Sequence, residues 1–66
     1  MRIKLNGQEK DFIDIASLKQ VIDQFCRQNQ RIIAEVNGEI IRNHSWENTI
    51  LKNGDKIELV SFVGGG

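Results

Sequence analysis

Apolar and polar positions alternate from the first residue. Met1, Ile3 and Leu5 are separated by Arg2 and Lys4, the period-2 pattern of a strand with one buried face. Asn6-Gly7 follows at once. This dipeptide supplies the two positive-φ positions of a type I′ turn, so Gln8 to Phe12 is expected to return antiparallel as the second arm of a hairpin. The period then changes: Leu18, Val21, Ile22, Phe25 and Cys26 stand at i, i+3, i+4, i+7 and i+8, on one stripe of a helix. Ser17 with Gln20 three residues on forms a capping-box pair at its start. Asp23 and Arg27 face solvent at i,i+4, and Asn29 as a left-handed cap ends the predicted helix near Gln28.

Beyond the helix, Ile32, Ala34 and Val36 alternate with Ile33 and Glu35 in a third strand. Asn37-Gly38 turns it into a short strand at Glu39 to Ile41. Arg42 to Leu51 has no clean period and reads as a connection with one helical turn near Ser45 to Asn48. Lys52-Asn53-Gly54-Asp55 is a turn cluster before the last strand, Lys56 to Val63, in which Ile57 and Leu59 face one way and Glu58, Val60 and Phe62 the other. One helix can cover one sheet face only, so the order predicts an α+β fold and suggests a β-grasp. The uncovered face would leave Ile33, Val60 and Phe62 as an exposed apolar patch of the kind that marks a partner surface.

At 66 residues the chain suffices for one compact domain, expected over residues 1–63, with residues 64–66 as a flexible glycine tail. Nine basic residues balance nine acidic ones, which leaves no cationic footprint for phosphates or an anionic membrane, so nucleic acid is not an expected partner. No apolar run approaches the roughly 20 residues that span a bilayer. The start MRIKLNGQEK has no apolar signal-peptide core, and the single cysteine has no internal disulfide partner; a soluble cytoplasmic protein is expected.

Few residues suggest catalysis. There is no phosphate-binding glycine loop, no zinc-spaced Cys/His cluster and no carboxylate pair fixed by spacing, so neither an active site nor a bound metal or cofactor is expected. His44 sits among polar residues and reads as solvated. Cys26 belongs to the helix's apolar stripe and reads as core. Trp46 reads as a rim residue sealing a small core.

Gly64-Gly65-Gly66 is different: at this glycine content such a run has a chance of about one in a thousand at a given place. Residues without a Cβ make a thin thread with a wide choice of φ/ψ, able to carry a terminal carboxylate into a narrow active site of a second protein. ATP would convert that carboxylate to an acyl-adenylate, from which a sulfur nucleophile displaces AMP to leave a thiocarboxylate.

The Val36-Asn37-Gly38-Glu39 turn, Trp46 followed by Leu51, the Asn53-Gly54-Asp55 turn, the strand Lys56 to Val63 and the terminal glycines together resemble the ThiS family of thiamine-biosynthesis sulfur carriers. The opening hairpin and single helix fit as well. The resemblance implies a ubiquitin-like β-grasp, a mixed four- to five-stranded sheet with one helix packed on one face. It further implies that Gly66 is adenylated by a ThiF-like, E1-like enzyme that uses ATP and is converted to a thiocarboxylate, with Gly65 as its thin neighbour and Gly64 as an extra tail glycine. A cysteine desulfurase is a candidate sulfur donor, and a ThiG-like thiazole synthase would be the acceptor. On this reading the chain is a protein cosubstrate, with Val60, Phe62 and Ile33 as candidates for docking the adenylating enzyme. Two alternatives stand beside it. One is a carrier of the molybdopterin synthase small-subunit type, a family whose members are generally longer and often carry prolines before the tail. The other is a β-grasp module that binds partners noncovalently through its open face.

Overall fold

The structure, a computed structural model of the chain, describes residues 1–25 and 30–63. Five strands and one helix follow in the order β1 (Arg2–Leu5), β2 (Gln8–Asp11), α1 (Leu18–Phe25), β3 (Gln30–Val36), β4 (Glu39–Ile41) and β5 (Lys56–Val63), with a 3₁₀ turn at Asn43–Ser45. The sheet order is β2-β1-β5-β3-β4. β1 and β5 run parallel at its centre and the other neighbours are antiparallel, which with the single helix on one face makes the expected β-grasp.

The turns follow their residues. Asn6 and Gly7 hold φ of 49° and 82°, Asn37 and Gly38 hold 52° and 87°, the left-handed pairs that let a two-residue hairpin match the twist of its strands. Past β2, Phe12 donates its N–H to the Met1 carbonyl at 2.8 Å and accepts from the Met1 ammonium at 2.9 Å. The hairpin is thus tied closed at its open end, although the strand itself stops at Asp11.

At the helix start the capping box forms in both directions. Gln20 Oε1 accepts the Ser17 N–H at 3.0 Å and the Ala16 N–H at 2.7 Å, and Ser17 Oγ accepts the Gln20 N–H at 3.4 Å. Leu18, Val21 and Ile22 are buried against Ile3, Leu5, Ala34, Ile57 and Leu59 of the sheet. Lys19 pairs with Asp23 on the outer face at 2.9 Å. Phe25, expected in the buried stripe, is instead 45% exposed. Lys10 and Gln8 pair with Ile3 and Leu5 and so share the helix-facing side, and Phe25 borders an open hollow that it shares with Leu5, Lys10 and Phe12. Cys26, Arg27, Gln28 and Asn29, and with them the predicted helix end, lie outside the described residues.

The connection from Arg42 to Leu51 turns earlier than expected, at Asn43–Ser45, and continues through Trp46 to Asn48. Trp46 is half-buried against the core and its indole N–H donates to the Ile41 carbonyl at 2.9 Å, the rim role expected of it. Asp55 is buried, accepting from the Lys52 N–H at 2.9 Å and from Asn37 Nδ2 at 3.0 Å. Asn37 Oδ1 in turn accepts the Lys56 N–H at 2.9 Å, so the second hairpin turn is fastened to the start of β5.

Candidate functional site

The face of the sheet away from α1 carries the side chains that no described element covers. Along β5, Ile57 and Leu59 are buried while Glu58, Val60 and Phe62 point outward, because successive side chains in a strand alternate between faces. β3 sets Ile33 opposite Val60, Arg31 opposite Phe62 and Glu35 opposite Glu58. β4 sets Ile40 opposite Glu35. Ile33, Val60 and Phe62 are 43%, 51% and 43% exposed, and Ile40 is 64% exposed. These residues form an apolar patch that reaches to within one residue of the end of β5.

Ile40 was not among the residues singled out from sequence. The signal was present, since Ile40 and Ile41 are adjacent in a three-residue strand and only one of two neighbours can face the helix. A shallow groove in this region is lined by Ile33, Ile40 and Phe62 together with Arg31, Arg42 and His44. It combines apolar surface with cationic and imidazole groups, and among the described residues no carboxylate or thiol lines it. His44 is exposed in the 3₁₀ turn, as expected of a solvated residue.

At the opposite edge of the sheet, between β1 and β2, Arg2 Nε reaches Asp11 at 2.9 Å. The hydrogen bond from Arg2 holds the Asp11 carboxyl below the usual carboxylate range and raises the guanidinium in return; both side chains are exposed, where such a pair contributes little. Among the described residues no group of three His, Cys, Asp or Glu side chains is placed to hold a metal ion. No described helix is long and apolar enough to cross a membrane.

Val63 ends β5, in register with Gln30. Gly64, Gly65 and Gly66, the residues on which the sulfur chemistry was expected, lie outside the described residues. The chain matches the ThiS family over residues 3–66. It belongs to that family. Over 97% of its length it is 32% identical to the sulfur carrier protein ThiS of Bacillus subtilis, 98% of which is covered. It is also 29% identical over its full length to part of a thiazole synthase of Paramagnetospirillum magneticum, and spans 20% of that longer protein. The crystal structure of the thiamine biosynthesis protein ThiS from Geobacter metallireducens superposes over all of both chains with a TM-score of 0.78 at 24% identity, which supports the β-grasp assignment.

Proposed function

We propose that this chain is a sulfur carrier for thiamine biosynthesis whose reactive group is the Gly66 carboxylate. The observation that carries this reading is the family match, which extends through the glycine tail to residue 66. A carboxylate oxygen attacks the α-phosphorus of ATP on a ThiF-like adenylyltransferase and expels pyrophosphate. The terminal sulfur of a donor persulfide, such as a cysteine desulfurase carries, then adds at the acyl carbon and AMP leaves; a thiol cleaves the resulting acyl disulfide, taking the donor sulfur into a new disulfide and leaving the thiocarboxylate. The carrier supplies the thread and the docking face; ATP is bound and turned over on the partner.

A thiazole synthase is the acceptor in this scheme. A segment similar to this chain lies within a protein named thiazole synthase, and joining donor and acceptor in one chain raises their effective concentration at each other's sites. That supports the thiazole route over a molybdopterin-type acceptor. The patch of Ile33, Val60 and Phe62, extended by Ile40, is the proposed contact with the adenylating enzyme. Its position beside the root of the tail supports this, because a partner seated there has Gly66 within reach.

The test is intact-mass measurement of the protein after incubation with ATP, a ThiF-like adenylyltransferase and a sulfur donor, followed by fragmentation. Replacement of one oxygen by sulfur at Gly66 is the expected outcome; fragmentation separates it from a persulfide on Cys26. An unmodified Gly66 beside a partner that adenylates its own carrier would overturn the reading in favour of a noncovalent module.

A further inference from the structure

β5 runs farther than its neighbour β1. The parallel ladder between them holds two pairs, Lys4 with Lys56 and Leu5 with Ile57. Lys4 donates its N–H to the Asp55 carbonyl at 2.9 Å, and Asn6 donates to the Ile57 carbonyl at 2.9 Å. Odd-numbered residues of β5 therefore turn their backbone groups toward β1. Even-numbered ones turn toward β3, as the bond from the Asn37 N–H to the Lys56 carbonyl shows at 2.7 Å.

At Asn6 the chain leaves the sheet, and its side chain takes the place of the next strand residue. Asn6 Oδ1 accepts the Leu59 N–H at 2.7 Å and Nδ2 donates to the Leu59 carbonyl at 3.2 Å. Past that clamp, Ser61 and Val63 present N–H and C=O in the same direction. β3 continues to pair on the other side, out to Gln30 with Val63. Among the described residues nothing bonds to the β1 side of Ser61 or Val63. Proteins usually blunt such an edge with Lys, Pro or a bulge, and Ser61-Phe62-Val63 has none of these.

We propose that this edge is a docking strand: an extended segment of the adenylating enzyme adds to β5 beside Ser61 and Val63, in the lane that β1 vacates at Asn6, and grips the root of the tail. The inference rests on the reading of Gly66 as the adenylated position. Three extended residues span at most about 10–11 Å, so the enzyme's active site must lie close to Val63 and its wall must pass along this edge. A glycine thread offers no side chains to recognise. Backbone hydrogen bonding is the available grip, and strand addition is the mode that supplies it. The free ladder of β5 points into the same backbone that continues as the tail.

The test uses the 66-residue chain made by chemical synthesis with an ester in place of the Val60–Ser61 peptide bond, which removes the Ser61 N–H and leaves every side chain unchanged. With the ThiF-like adenylyltransferase of the same organism, the ester chain is expected to show a KM for adenylation raised about 3- to 10-fold, as the loss of one hydrogen bond implies, with kcat retained. Amide exchange on the all-amide chain gives a second readout that does not depend on how the ester chain folds: the Ser61 and Val63 amides should become protected when the enzyme binds. Fast exchange of both amides in the complex overturns the docking strand and leaves the carrier reading intact. An all-amide chain that an active enzyme does not adenylate overturns the carrier reading itself, and this inference with it.

Discussion

Asn6 holds φ at 49° and bonds both backbone groups of a residue 53 positions away in sequence. The first property was legible in the Asn-Gly dipeptide, because local sterics decide which residues accept a left-handed turn. The second was not, since no local pattern reports which strand will lie beside a turn. Replacement separates the two. Asn6→Gly keeps the turn and loses the clamp, whereas Asn6→Ala loses the clamp and adds the cost of a Cβ at positive φ, about 1 kcal/mol more. In urea unfolding the native protein should be the most stable, Asn6→Gly next and Asn6→Ala least; equal midpoints for the two variants would mean that the turn relaxes. Arg2 and Asp11 make a smaller contribution with a definite sign. Because Arg2 holds the Asp11 carboxyl low, its share of stability is present above the unfolded-state pKa and fades as pH falls through the folded one. In Arg2→Gln the Asp11 titration followed by carboxyl NMR should move up, and the stability difference between the two proteins should close in acid.

The cap of α1 shows how far pattern reasoning reaches at the scale of an element. Ser17 and Gln20 were identified by spacing alone, and their side chains satisfy three backbone N–H groups at the helix start. Ser17→Ala should cost about 0.5–2 kcal/mol by thermal or urea unfolding. Gln20→Ala should cost at least as much, because Gln20 accepts the two shorter bonds; a negligible effect of Gln20→Ala would show that water replaces it freely. β5 lies where alternation placed it, since a half-buried strand writes its burial into every second residue, and β4 lies where the Asn37-Gly38 turn placed it. Phe25 broke the helical pattern because it borders an open hollow between α1 and the β1–β2 hairpin, and how a helix end seats on an edge strand is not local information. For the same reason the parallel contact of β1 with β5, and the stretch of β5 left open beyond it, became visible only in the assembled sheet.

Across the whole molecule the two faces of the sheet differ in burial, and the proposed division of stability from recognition between them can be measured. Ile57 and Leu59 face the helix and are 0% and 4% exposed, while Val60 and Phe62 on the same strand are about half in solvent. Truncating exposed side chains changes stability by roughly 0.5 kcal/mol or less, so a Val60→Ala/Phe62→Ala double variant should unfold almost where the parent does. If these residues form the centre of the docking face, each truncation should cost more than about 1 kcal/mol of binding, and together they should raise the KM for adenylation by on the order of 10-fold or more. Leu18→Ala, in the fully buried core, should do the reverse. It should lower stability by about 2–5 kcal/mol and leave the KM of the folded protein near its parent value, because Leu18 touches the opposite face of the sheet. The pair of variants distinguishes a docking defect from a folding defect, which a loss of activity alone does not. If the double variant kept its KM, the open face would not be the docking surface, and the contact would have to rest on the β5 edge and the tail.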